Sequence, residues 1–345
     1  MHGQSLTNFK ALLKLIEKYP GAKEMICVVP LETDPAYKPL LDLSSNSDSM
    51  SVYTSGLSHH QSQKLYQMLH GVDQSHPESE IIAFFDDDIL VSDDVFKQAI
   101  CRFVDDDVWM VTGYCMEVPA PDLVSHWRSA FRLINCLNFT GDSSSMAWGG
   151  CMFMRSSSFR DNEFGLREIL NNGCYSDDMT MSHVATENGK KIVFDTSLFF
   201  PDFVAASLRN GVDFILRQLF VVTTHVTEYE RQKNSILVVA SFIPVLTSWI
   251  GGVGLIVSIY YFSGFWLILL CGSLTLLVGT VYISLSVIAR MVNCFVISAW
   301  KTSVMLLFHL FLLPILMAKS VLRRSIVWSG ITYNMKNGKV YSVEH

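Results

Sequence analysis

The stretch "IIAFFDDDIL" (81–90) decides how this chain folds. Five apolar residues run without a break into three aspartates. A run that short reads as a strand, and its lack of alternation implies burial on both faces. A near copy, "CRFVDDDVWMV" (101–111), follows soon after. Its acids fall between the end of a helical pattern and the start of the next apolar run, so the two triplets belong at opposite edges of one sheet. In an open α/β sheet, ligands bind beyond the carboxyl ends of the strands. Asp86, Asp87 and Asp88 are therefore placed for a ligand, and Asp105, Asp106 and Asp107 read as a solvated turn.

The flanking segments extend the same pattern. "EMICVVP" (24–30), "MSVYTSG" (50–56), "EIIAFFDDD" (80–88) and "DVWMVTGY" (107–114) read as strands. "HHQSQKLYQMLHGV" (59–72) reads as a helix. "SDDVFKQAICRFV" (92–104) reads as another, capped by Ser92, with Asp93 and Asp94 in a first turn that favours negative charge. Helices alternating with buried strands predict a layered α/β domain with a mixed, mostly parallel sheet.

The 345 residues are 50% hydrophobic, and the excess is concentrated. The 56 residues 234–289 contain no Asp, Glu, Lys, Arg or His. A spanning helix needs about 20 apolar residues, so this run predicts two transmembrane helices turning at "YFSGF" (261–265). A third run, "TSVMLLFHLFLLPILMA" (302–318), has 17 residues with Pro314 inside it; re-entrant, interfacial and spanning placements all stay open. Arg231, Lys233, Arg290, Lys319, Arg323 and Arg324 put the flanks of these runs in the cytoplasm. The expected organisation is a cytosolic domain over 1–233, two spans over 234–289, a third apolar segment over 290–319 and a cytosolic tail over 320–345.

Other classes are disfavoured. The net charge is −6 and no long basic run exists, so nucleic acid is not an expected partner. The eight cysteines form no C-x-x-C pair and read as reduced, buried residues. The opening "MHGQSLTNFKALLKLIEKYP" reads as a helix and not a secretory signal. Asn138 heads "NFT", an acceptor sequence expected to stay unmodified on the cytosolic side.

Four constellations carry chemistry. Asp86 and Asp88 form an Asp-x-Asp of hard oxygen donors that suit Mg²⁺ or Mn²⁺. In "GCYSDDMTMSHVATENGKKIVFD" (173–195), Asp177 and Asp178 open a helix, either as a general base or only as helix-terminal acids. "AWGGCMFMR" (147–155) puts two glycines before a strand, for a close backbone approach or a plain turn. In "DFILRQLFVV" (213–222), Arg217 is a cation in an apolar run, equally a phosphate clamp or an interfacial anchor.

Taken together, "DPA" (34–36), "SQKLYQML" (62–69), "FFDDDI" (84–89), "VTGY" (111–114), "GGCMFMR" (149–155), "SDDMTMSHVATENGKKIVF" (176–194) and "VWSGITYNMKNGKV" (327–340) resemble the ceramide glucosyltransferases. These are relatives of the inverting glycosyltransferases with a GT-A nucleotide-sugar-binding domain. The likeness covers most of the chain in the family's order. It implies that Asp34 sits near the nucleoside, that Lys64, Asp86 and Arg217 bind the nucleotide sugar, and that Asp86 and Asp88 hold the metal. It further implies Asp178 as the base, and Asp177, Trp328 and Tyr333 on the acceptor side. Two features depart from the family. Of its (Q/R)xxRW box only Arg217 matches, with Phe214 in place of Gln or Arg and Gln218 in place of Trp. The family's membrane anchor and first strand have no counterpart ahead of the first helix, so the expectation is either a piece of a longer protein or a short form whose nucleotide pocket is open on one side.

The resemblance implies a membrane enzyme moving glucose from UDP-glucose to the primary hydroxyl of ceramide by single displacement. It acts on the cytosolic face of the Golgi or endoplasmic reticulum membrane, with the bilayer supplying the acceptor. Another membrane glycosyltransferase, acting on a different lipid or a polyprenyl phosphate, and a catalytically impaired relative stay open as alternatives. Nothing in the sequence indicates an oligomeric state.

Overall fold

The computed structural model describes residues 3–21, 24–87, 89–136, 139, 144, 146–224 and 298–345, together with a few single positions between 253 and 283. The helices are α1 (Gly3–Lys18), α2 (Tyr37–Ser44), α3 (Gln63–Gln74), α4 (Val95–Ile100), α5 (Leu123–Cys136), α6 (Ser157–Arg160), α7 (Leu166–Asn171), α8 (Asp177–Glu187), α9 (Leu208–Thr224) and α10 (Ala299–Val321). The strands are β1 (Met25–Val29), β2 (Met50–Thr54), β3 (Ile81–Phe85), β4 (Val108–Pro119), β5 (Cys151–Arg155), β6 (Lys191–Val204), β7 (Ser325–Trp328), β8 (Ile331–Lys336) and β9 (Lys339–Glu344). The chain divides into two compact units. The first comprises Met1–Met116, Cys136–Asp202 and Arg323–His345; the second comprises Glu117–Asn135 and Phe203–Leu322.

The apolar run of 81–85 behaves as its lack of alternation implies. In β3, Ile81, Ala83 and Phe85 pack into one core cluster, while Ile82 and Phe84 pack into another. In β5, Cys151 and Phe153 face the first cluster, and Met152 and Met154 face the second. Side chains alternate across a sheet, so a strand covered on both faces must be apolar at every position. The first cluster is covered by Leu13 and Ile16 of α1 and by Val95, Phe96 and Ala99 of α4. The second is covered by Leu65, Leu69 and Val72 of α3, by Leu166 and Leu170 of α7, and by Met181, Val184 and Ala185 of α8. Residues 65, 69 and 72 lie on one stripe of a 3.6-residue helix, which is why α3 docks there.

The sheets are more mixed than the alternation of elements predicts. β1 and β2 form their own parallel pair, Met25 facing Met50. The larger sheet runs β3-β5-β4-β6, and β5 is antiparallel to both β3 and β4. β5 enters through the Gly149–Gly150 turn, whose Gly150 carbonyl accepts the Asp86 N–H at 3.0 Å. Strand β5 therefore starts where β3 ends. Helix α4 is shorter than expected. It begins at Val95, whose N–H donates to the Ser92 carbonyl, and its N-cap position is Asp94, so the Ser92 side chain caps nothing.

The C-terminal part requires the largest correction. The sequence predicts transmembrane helices after residue 233, but among the described residues no helix is long and apolar enough to cross a membrane. Both expected spans, over 234–289, lie outside the described residues apart from single positions. The third apolar segment contributes α10, which carries buried polar residues along its length: Thr302, Ser303, His309 and Ser320. Two of them bond within the second unit, Thr302 to His126 at 3.1 Å and His309 to the Trp127 indole N–H at 3.2 Å. Trp127, Phe131, Phe214, Ile215, Leu216, Leu219 and Leu316 form that unit's apolar core. The segment 323–345, read as a tail, is a three-stranded antiparallel sheet. Its two turns, Ser329–Gly330 and Asn337–Gly338, have positive φ at both positions, the conformation that suits two-residue hairpins.

The cysteines Cys27, Cys115, Cys136, Cys151 and Cys174 are free and buried, and burial pushes the Cys27 and Cys174 thiols up to about 12. Cys101 is free but exposed.

The sheet leaves no room at Gly113. A Cβ there would lie 2.4 Å from the Leu198 carbonyl oxygen and 2.9 Å from its Cβ. Gly113→Ala is therefore expected to destabilise the first unit by about 1–3 kcal/mol, seen as a lower denaturant midpoint with unchanged secondary-structure content before the transition.

Candidate active site

The first unit brings charged groups from three segments, and a backbone carbonyl from a fourth, together at Lys64. Ser62 caps α3 by accepting the Leu65 N–H, so Lys64 stands in the helix's first turn. Its ammonium lies 2.8 Å from Asp86 Oδ1 at the end of β3 and 3.3 Å from Asp177 Oδ2 at the start of α8. It also donates to the Gly149 carbonyl at 2.8 Å. Gly149 in turn donates its N–H to Asp178 Oδ2 at 3.0 Å. Asp178 Oδ1 accepts from the Ser176 hydroxyl at 2.6 Å and from the Met179 N–H at 2.7 Å.

Position 149 is crowded, and a side chain there would have to displace its neighbours by a few tenths of an ångström. A Cβ there would sit 3.1 Å from Asp178 Oδ2, 3.2 Å from Lys64 Nζ and 3.3 Å from Asp177 Oδ1. Residues 149–150 form a turn, and its first glycine packs against the side chains of Lys64, Asp177 and Asp178.

The electrostatics follow from the packing. Burial of Lys64 favours its neutral form, but Asp177, then Asp86 and Asp178, outweigh that and hold the ammonium well above its ordinary range. Asp177 is 9% exposed at the side chain. Burial, opposed by Lys64 but reinforced by Asp178 and Asp86, pushes its carboxyl up to about 6. Its Oδ2 is buried and has no hydrogen-bond partner. The two adjacent acids thus differ in kind: Asp178 accepts three hydrogen bonds, whereas Asp177 has only an ion pair at one oxygen.

The remaining sequence-named residues are distributed as follows. Asp34 lies after β1, and its Oδ1 accepts the Ala36 N–H at 2.7 Å; among the described residues no hydrogen bond or ion pair joins it to the Lys64 cluster. Asp88 lies outside the described residues, as do Asn138 and Thr140 of the "NFT" sequence. Asp105 and Asp107 pair with Lys191, and Asp106 with Arg155, on the exposed turn before β4. Tyr333 is fully buried, its hydroxyl accepting the Gln63 N–H at 3.1 Å. Trp328 ends β7 and is partly exposed.

Arg217, a phosphate clamp or an interfacial anchor by its sequence and a nucleotide-sugar ligand by the resemblance, belongs to α9 in the second unit. Phe214, which replaces the family's Gln or Arg, has three guanidinium groups around its ring: Arg128 at 4.0 Å, Arg132 at 5.1 Å and Arg217 at 5.7 Å. Arg128 and Arg132 also pair with the buried Glu117 at 2.9 and 3.2 Å. Sequence reasoning missed Glu117, Arg128 and Arg132; the four-residue spacing of the two arginines on one helix was the available signal.

The donor chemistry fits a hard divalent cation. The cluster is built from carboxylate and carbonyl oxygens, and a cationic group, the Lys64 ammonium, already lies among Asp86, Asp177 and the Gly149 carbonyl. Asp86 keeps 35% of its side chain exposed and so can offer oxygen to an incoming ion. Among the described residues no group of three metal-ligating side chains stands ready.

No protein-family model matches the chain, and no curated protein matches it.

The raised carboxyl of Asp177 has a definite signature. Its native value of about 6 lies above the ordinary value near 4. Between those values the folded state holds the extra proton, so its contribution to stability is complete below about pH 4 and is lost as pH rises to about 6. Unfolding measured from pH 4 to 7 is expected to show a loss of order 2 kcal/mol from this group. In Asp177→Asn that component is expected to be absent.

Proposed function

We propose that this chain is an inverting glycosyltransferase that moves glucose from UDP-glucose to the primary hydroxyl of ceramide or a closely related lipid. The observation that carries the reading is the convergence of Lys64, Asp86, Gly149, Asp177 and Asp178, drawn from distant segments, on one partly buried point. The strand-end position of Asp86 agrees with the general placement of ligands in α/β sheets.

In this reading Lys64 faces the phosphates of UDP and offsets their charge. Asp86, with Asp88 two residues on, would hold Mg²⁺ or Mn²⁺, which supplies further positive charge for the departing phosphate. Asp34 contacts the nucleoside. Asp178 takes the proton from the lipid hydroxyl. That oxygen attacks the anomeric carbon from the face opposite UDP, the bond to the β-phosphate oxygen breaks, and UDP leaves with the electron pair. The three hydrogen bonds to Asp178 hold its carboxylate in one orientation for this task. One observation favours a second assignment of the base: Asp177 has the unbonded oxygen and the carboxyl nearer neutrality. The same reading has the domain working on the cytosolic side of a Golgi or endoplasmic reticulum membrane, where UDP-glucose and the lipid meet.

The test uses the full chain with UDP-[¹⁴C]glucose, ceramide and Mg²⁺ or Mn²⁺, followed by separation of labelled glycolipid. Transfer is expected from the wild type. If Asp178 is the base, Asp178→Asn loses at least about a hundredfold and Asp177→Asn retains more; the reverse order assigns the base to Asp177. A wild-type chain that neither binds UDP nor labels a lipid overturns the glycosyltransferase reading.

A further inference from the structure

We propose that the C-terminal sheet β7–β9 is a clasp that sets the donor side of the site, and that Tyr333 is its positioning residue. This deepens the glycosyltransferase reading and rests on it wherever activity is the readout.

The resemblance assigns Tyr333 to the acceptor, but its surroundings do not suit that role. The side chain is fully buried, and its hydroxyl is committed to the N–H of Gln63, the residue before Lys64. The first N–H groups of a helix have no partner within the helix. The Tyr333 hydroxyl accepts one of them, the Gln63 N–H, and the Ser62 hydroxyl accepts the Leu65 N–H. The turn that presents Lys64 is thus held by one local cap and one contact from 270 residues away.

The same sheet grips the other carrier of the cluster. Val340 donates its N–H to the Gly173 carbonyl at 2.8 Å, just ahead of Asp177 and Asp178. Gly173 has φ of 73°, and a Cβ on it would lie 2.9 Å from the Val340 carbonyl oxygen. The Tyr175 and Tyr333 rings meet edge to face at 5.2 Å. The two carriers also bond to each other, Ser62 N–H to the Cys174 carbonyl at 3.0 Å. A third contact comes from the chain's last residue, whose ring nitrogen lies 2.8 Å from the Ser58 carbonyl. Ser58 belongs to the loop that Gln63 organises, accepting the Ser58 N–H and donating to the Gly56 carbonyl. Residues 58–64 and 173–178 are therefore registered against one another by a sheet that contributes no charged group to the cluster.

Tyr333→Phe in the full chain tests this, because it keeps the buried ring and removes only the hydroxyl. Tyr341→Phe, exposed on the same sheet, is the control. Amide hydrogen exchange over residues 58–66 is expected to quicken by about tenfold in Tyr333→Phe. UDP affinity in the presence of Mg²⁺ is expected to fall by roughly fivefold or more, with KM for UDP-glucose rising alike and KM for ceramide unchanged. Unchanged exchange overturns the clasp. Faster exchange with unchanged UDP affinity also overturns it, because the sheet then fails to reach the cluster. A rise confined to the ceramide KM returns Tyr333 to the acceptor. A wild-type chain that does not bind UDP overturns the glycosyltransferase reading and the donor-side role together, while the exchange data still decide whether Tyr333 holds the turn.

Discussion

The Lys64 ammonium is the interaction on which the site depends. Asp86, Asp177 and Asp178 are like charges drawn into one region, and Asp177 is nearly shut off from water. Such carboxylates repel one another and lose hydration on burial. A cation between two of them offsets both effects. In buried pairs, removing one partner typically costs about 3–5 kcal/mol, mostly from the charge left behind; here the partial exposure of Lys64 and Asp86 reduces that figure. The pair thus joins the end of β3 to the start of α8, and the Gly149 carbonyl adds the entry to β5.

The double-faced core explains why those segments meet. β5 is apolar on both faces and lies between β3 and β4, antiparallel to each. Its beginning is therefore level with the end of β3, where Phe85 faces Cys151, and its end with the start of β4, near Arg155. The glycine turn and Asp86 come together at one edge. The second aspartate triplet goes to the other, where it binds Lys191 and Arg155 in water. Identical tripeptides acquire different surroundings because one follows β3 and the other precedes β4, two strands that run the same way on either side of β5.

The second unit shows how a departure from a motif is accommodated. Phe214 offers a ring where the resembled family has a polar side chain, and arginines from two helices gather over it. An aromatic face attracts guanidinium groups, and the buried Glu117 supplies opposite charge to two of them. In α10, buried Thr302 and His309 find partners on α5. Hydropathy counting registers a run such as 302–318 only as apolar, because it does not distinguish polar groups satisfied by neighbours from polar groups left in lipid.

Much was legible in the chain itself. Uninterrupted apolar runs of five residues marked β1 and β3, because period-two burial on both faces leaves no polar position. The stripe of Leu65, Leu69 and Val72 marked α3, and the acids at 86 and 177–178, which meet at Lys64, stood out by their positions at a strand end and a helix start. Sequence did not reveal that Lys64 is the hub, that Gly149 packs against three charged side chains, or that Tyr333 serves Gln63. Those contacts join separate segments, Gly149 to Asp178 across 29 positions and Gln63 to Tyr333 across 270. They depend on the direction of β5 and the docking of the C-terminal sheet, and local propensity has no bearing on either. The hairpin turns at Ser329–Gly330 and Asn337–Gly338 were readable signals of that sheet. Where it docks was decided only by the tertiary structure, through a buried hydroxyl meeting an otherwise unpaired helix N–H.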